Sequence, residues 1–135
     1  MAEDIRQNFG ADTAITITLN SLGNGSSAVS SAFDLGNPGP FSLTIEALLD
    51  GSTAGNTENV EIYAQWSNDN TDFSDSLNDL LVGAARLNGT TAVSKVFSMP
   101  VHARYLQLRA ANNSGAALNG SGNTLRFVPV TVDQA

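Results

Sequence analysis

The chain is 135 residues long, the usual length of one domain, with no cysteine and a single histidine, His102. Disulfides, thiolate metal centres and a His-rich zinc or copper site within one chain are thereby excluded. Thirteen acids against six bases give a net charge of -7, which argues against a nucleic-acid partner and against an anionic membrane surface, because both would repel it.

Charged residues make up only 14% of the sequence, below the roughly one quarter that is usual. Ser, Thr, Asn and Gly fill the gap, as they do in β-rich chains with many turns. Hydrophobic residues make up 41%, enough for a real core rather than disorder. The polar, acidic start Met1-Ala2-Glu3-Asp4-Ile5-Arg6 is unlike a signal peptide. The expectation is a chain kept in the cytoplasm that makes it, or a mature form without its leader. The longest apolar runs fall far short of a membrane span.

Residues 1–12 show neither alternation nor a helical period and read as an N-terminal arm with two large apolar side chains, Ile5 and Phe9. The β-sandwich domain is expected over residues 13–135. Residues 13–20 alternate cleanly, with Ile15, Ile17 and Leu19 on one face. A turn over residues 21–26 leads to a weaker strand over residues 27–35, with Val29, Phe33 and Leu35 on one face. Residues 36–40, Gly-Asn-Pro-Gly-Pro, end it.

Residues 41–50 form the strongest expected strand, with Phe41, Leu43, Ile45, Ala47 and Leu49 on one face. After a loop, residues 59–67 place Val60, Ile62, Ala64 and Trp66 inward and Glu61, Tyr63, Gln65 and Ser67 outward. A long polar loop over residues 68–78 contains Phe73. Residues 80–87 can be a strand or the end of a short helix; Gly83 and the following Asn88-Gly89 favour a strand and a hairpin with residues 90–99. Pro100 ends that strand. Residues 102–111 put Leu106, Leu108 and Ala110 inward. A second Gly- and Asn-rich loop precedes the last strand, residues 124–132, where Pro129 implies an edge or a bulge. The count is about eight strands and no firm helix, which predicts an all-β, eight-stranded antiparallel β-sandwich of jelly-roll type.

Few residues suggest chemistry. Asn68, Asn70 and Asp72 have the alternate spacing of calcium ligands, but Phe73 stands where such a loop needs glycine and Asp79 where it needs glutamate. An Asx-turn-rich loop explains them more simply, and calcium is not expected to be needed for folding. His102 lacks a nucleophile elbow, since no Gly-x-Ser-x-Gly is present. Glu46 and Glu61 are mid-strand carboxylates on outward faces, where nothing raises their pKa for glycoside hydrolysis. Trp66, Tyr63 and Tyr105 are candidates for a sugar-stacking platform, although alternation puts Trp66 in the core.

The runs Ile62-Tyr63-Ala64-Gln65-Trp66-Ser67-Asn68-Asp69-Asn70-Thr71-Asp72-Phe73 and Ala103-Arg104-Tyr105-Leu106-Gln107-Leu108-Arg109-Ala110-Ala111-Asn112-Asn113 resemble the jelly-roll head cement, or decoration, proteins of short-tailed phages. The same pattern is similar to discoidin-type carbohydrate-binding sandwiches, whose strand-end loops bind ligand. The cement resemblance implies a virion protein on the capsid surface, made in the host cytoplasm. It implies no active site and no cofactor, and a partner in the major capsid protein, across whose subunits it binds. A carbohydrate-binding or receptor-binding module is the alternative. Self-association as a dimer or trimer is also expected. Ile5, Phe9, Leu48, Val128 and Val130 are the candidate interface residues, the last three because they fall opposite the core residues of their strands.

Overall fold

The computed structural model describes residues 5–134, with side-chain surroundings for residues 6–133. Ten strands follow one another: β1 (Ile5–Phe9), β2 (Thr13–Ile15), β3 (Ser27–Val29), β4 (Phe33–Asp34), β5 (Ser42–Leu49), β6 (Asn59–Ser67), β7 (Leu80–Arg86), β8 (Val93–Pro100), β9 (Tyr105–Asn113) and β10 (Thr124–Gln134). They form two antiparallel sheets. The first has the order β1-β10-β5-β8, with β2 also on β10; the second has β3-β9-β6-β7, with β4 also on β9.

Ten strands occupy eight positions. β1 and β2 lie on the same side of β10, and residues 10–12 face only Val128 and Pro129, one residue fewer. β3 and β4 lie in the same way along β9, with residues 30–32 facing Gln107 and Leu108. Each pair is therefore one strand interrupted by a bulge. With those pairs joined, the sheets interleave as a jelly roll.

The core lies between the sheets. Leu43, Ile45, Ala47 and Leu49 of β5 face Val60, Ile62, Ala64 and Trp66 of β6 and Leu106, Leu108 and Ala110 of β9. These are the period-2 faces read from the sequence. Leu19 and Leu118, from connecting segments, close one end.

Four expectations are corrected. Residues 1–12 carry a ladder after all, because β1 pairs with β10 over five residues. Val29 and Phe33 do not share a face: the bulge between them reverses the alternation, leaving Val29 48% exposed while Phe33 packs on the core. Phe41 lies just before β5 and is 67% exposed. The turn at Asn88-Gly89 does form, with Gly89 at φ 57° and the Thr91 N–H donating to the Asn88 carbonyl. However, β7 pairs with β6 and β8 with β5, so this turn crosses between sheets instead of closing a hairpin.

Pro129 sits inside a strand with neighbours on both sides, yet breaks no ladder. Its carbonyl accepts from the Gly10 N–H at 2.8 Å, on the side where β1 and β2 are interrupted. In a strand a residue's N and C=O point the same way, so the missing N–H faces that gap.

Candidate functional site

β5 ends its pairing with β10 at Ser42, opposite Val130. Beyond that point β10 keeps only β1, from Phe9 opposite Val130 to Ile5 opposite Gln134. The first and last strands thus run past the sandwich as a two-stranded ribbon. Arg6, Gln7, Asn8, Thr131, Val132 and Asp133 in it are all exposed. A side-chain hydrogen bond from Asn8 to Asp133 ties the two strands together. A loop carrying Pro38, Gly39 and Phe41 borders a groove alongside Thr131 to Asp133. Phe9 is 66% exposed and Val132 44% exposed, so large apolar groups surround the ribbon's base. An isolated two-stranded ribbon is marginal in water, and exposed apolar clusters mark contact surfaces.

The candidate interface residues divide. Phe9, Val128 and Val130 come together on the outer face of the first sheet, with Phe9 directly across from Val130. Leu48 lies on that face too, opposite Thr124 at the far end of the β5–β10 ladder, and is 38% exposed. Val128 is half-buried. Val130 is corrected: it is 3% exposed, flanked by β1 and β5, and is not a free surface residue. The side chain of Ile5 lies outside the described residues. Sequence reading missed Phe41 and Val132. Their exposure follows from where β5 stops, and strand ends are the least legible feature of a periodic pattern.

The outer face of the second sheet is polar and interconnected. The Arg109 guanidinium donates to Asp79 at 2.7 Å and stacks 4.2 Å above the Tyr63 ring. Gln65 donates to Asp79 at 3.2 Å, and Gln107 donates to Gln65 at 2.8 Å. The Tyr63 hydroxyl donates to Glu61 at 2.8 Å. Arg109 holds the Asp79 carboxyl below its ordinary pKa, and Asp79 raises that of Arg109. The Glu61 carboxylate pushes the Tyr63 hydroxyl up.

This geometry bears on sugar stacking. Trp66 is 9% exposed and inside the core, and Arg109 covers one face of Tyr63. Tyr105 is half-buried with Arg104 5.2 Å from its ring centre. The three aromatics therefore form no common open platform.

The remaining candidates separate in space. Glu46 is on the outer side of the first sheet and Glu61 on that of the second, so they cannot flank one glycosidic bond. Asp69 accepts from the Ser67 hydroxyl and from the Thr71 and Asp72 N–H groups, each at 2.9 Å. These donors hold its pKa down at about 2 and close the loop as an Asx turn. Asn68, Asn70 and Asp72 are exposed around it. His102 lies exposed against Trp66, ring centres 5.5 Å apart. Among the described residues no three His, Cys, Asp or Glu side chains gather as metal ligands would.

No family model and no curated protein matches the sequence. Among solved structures the chain is similar in shape to the SPBc2 prophage-derived protein YomS, at 12% identity, with 97% of this chain and 96% of that one covered and a TM-score of 0.44. It is similar to the K3 cleaved adhesin domain of Lys-gingipain from Porphyromonas gingivalis at 16% identity, covering 78% of this chain and 61% of that one, with a TM-score of 0.46. For the CBM22-1 xylan-binding domain of Paenibacillus barcinonensis Xyn10C the identity is 12%, the coverage 98% and 96%, and the TM-score 0.40. At these values the likeness is loose and nothing about function follows from it.

Proposed function

We propose that this chain is a structural virion protein, a cement protein on the phage capsid surface that binds across major capsid protein subunits and also associates with itself. It acts by binding, without catalysis or cofactor. The observation that carries this reading is the projecting ribbon of β1 and β10, with Phe9, Phe41 and Val132 exposed about its base. A free arm would spend about 1–2 kcal/mol per residue on being ordered. A strand already paired in the free protein avoids most of that cost. Burying Phe9 and Phe41 would then contribute about 1.5–3 kcal/mol each, and repetition over a lattice multiplies weak contacts into firm attachment.

The test is retention on purified capsids. A Phe9→Ala, Phe41→Ala double variant should keep its fold, because both rings are exposed, and should lose retention by more than tenfold. Retention equal to the parent protein would overturn the reading.

A second reading, a carbohydrate- or receptor-binding module, rests on Gln107, half-buried on the second sheet and joined in a polar row to the largely buried Gln65, Asp79 and Arg109. Planar amide and guanidinium groups of this kind suit hydroxyl-rich ligands. A glycan array discriminates: tight binding abolished by Gln107→Ala, at the half-buried end of the row, would favour this reading over the first.

A further inference from the structure

Three Asn-Gly pairs occur in the chain, at residues 24–25, 88–89 and 119–120. Such a pair can react with itself. The glycine nitrogen, unshielded by a Cβ, attacks Cγ of the asparagine side chain. A cyclic imide forms, and Nδ2 leaves as ammonia, carrying off the proton of the glycine nitrogen. Water then opens the imide to aspartate, or to isoaspartate, which puts an extra methylene into the main chain. The step needs the glycine nitrogen to be free and close to its own asparagine side chain.

The fold treats the three pairs differently. The Gly25 N–H donates to the carbonyl of Asn112 at 2.7 Å, and the Gly89 N–H to that of Asn56 at 2.8 Å. Asn112 and Asn56 are fully buried, so both nitrogens are pinned to fixed acceptors. The Asn24 side chain is turned elsewhere, its Oδ1 accepting from the Gly115 N–H at 3.0 Å. At the third pair the Gly120 N–H donates to Oδ1 of Asn119 itself, at 2.7 Å. Oδ1 is one bond from Cγ, so the nitrogen sits close to the near-attack separation of about 3–3.5 Å. Gly120, Ser121 and Gly122 are exposed, which leaves the main chain room to turn and water free access.

We propose that Asn119-Gly120 is a site of spontaneous deamidation, and that its conversion unfastens this loop from Asp50. Nδ2 of Asn119 donates to Oδ2 of Asp50 at 3.1 Å, while Oδ1 of Asp50 is buried with no donor among the described residues. Deamidation removes that donor and sets a second carboxylate against the first. The main chain matters as well. The Asn119 N–H donates to the Asp50 carbonyl at 2.8 Å, and its own carbonyl accepts from the Ser21 N–H at 3.0 Å. An added methylene between these two anchors puts them out of register, next to the buried core residue Leu118. This site is remote from the ribbon in the fold and does not depend on the cement reading.

The test is to age the folded full-length chain at mildly alkaline pH and to follow each asparagine by peptide fragmentation in a mass spectrometer. Asn119 should convert roughly tenfold faster than Asn24 or Asn88. In guanidinium chloride that preference should vanish, because glycine follows all three. Gly120→Ala should slow the conversion of Asn119 by roughly tenfold without disturbing the fold, since its Cβ meets only Ser21 Oγ at 3.6 Å. Asn119→Asp, which imitates the product, should lower the melting temperature by several degrees, and adding Asp50→Asn should recover most of the loss. Asn24 or Asn88 converting as fast in the folded chain, a preference that persists in denaturant, an unslowed Gly120→Ala protein, or an Asn119→Asp protein that melts like the parent would each overturn the proposal.

Discussion

Gly83 shows how one missing side chain holds two sheets together. It faces inward on β7, and a Cβ there would lie 2.2 Å from the Phe97 ring of β8 in the opposing sheet. Phe97 is buried and cannot swing into solvent. Gly83→Ala should therefore cost about 1–3 kcal/mol by overpacking, seen as a fall of several degrees in the melting temperature. An unchanged melting curve would mean that the Phe97 ring relaxes freely. Asp79 makes the corresponding polar case. Its side chain is 3% exposed and that of Arg109 14%, so Asp79→Asn leaves a guanidinium mostly out of water without its counter-charge. The loss should be about 1.5–3 kcal/mol near neutral pH. The native pKa of Asp79 is lowered from 3.8, so the ion pair stabilises the fold above that value. Its contribution disappears as pH falls through the lowered native pKa. Urea melts of parent and variant should differ most above about pH 5 and converge as the carboxylate protonates. The pairing of Arg109 with Asp79 joins β9 to a loop residue thirty positions earlier, and nothing in a local sequence pattern announces it. The same holds for Asn56 and Asn112. Both are fully buried, with their amides donating to backbone carbonyls including that of Ala116. In the sequence they look like ordinary loop asparagines.

At the scale of elements, the strands over residues 43–49, 60–66 and 106–110 were legible because both sheets bury one face only, which imprints a period of two. Their interruptions were not. A bulge adds one residue to a ladder, and its effect on residues 10–12 and 30–32 depends on β10 and β9, far away in the chain. The Asn88-Gly89 dipeptide was read correctly as a turn, but a turn fixes the reversal of the chain and not the sheet it enters. The ribbon allows a direct test. Deleting residues 1–9 removes β1 but keeps β2 on β10 and leaves every residue of the buried core cluster in place. Val130 loses its cross-strand neighbour Phe9. The shortened chain should melt cooperatively with a loss of roughly 1–2 kcal/mol, about that of a partly uncovered valine. Its retention on capsids should fall at least as far as in the Phe9, Phe41 double variant. A deletion that unfolds the domain would make β1 part of the sandwich's own stability rather than a contact element.

For the whole molecule, charge and shape act in opposite directions, and their balance yields a prediction about self-association. Each chain carries a net charge of -7, so two copies repel at low ionic strength. The apolar groups at the ribbon's base, Phe9, Phe41 and Val132, give an attraction that salt does not screen. The ion pairs among the described residues are satisfied within one chain: Arg104 with Asp34, Arg109 with Asp79 and Arg126 with Asp12. Arg104 holds Asp34 down at about 2, and these pairs take up three of the six bases, against thirteen acids in all. Raising ionic strength shortens the screening length from about 30 Å at 0.01 M to about 3 Å at 1 M. Repulsion then fades while the apolar contact persists, and association should strengthen with salt. Sedimentation velocity across that range should show the dimer or trimer fraction rising, and the Phe9→Ala, Phe41→Ala variant should stay monomeric throughout. A fraction that falls with salt would mean that ion pairs between copies, not the apolar base of the ribbon, hold the assembly together.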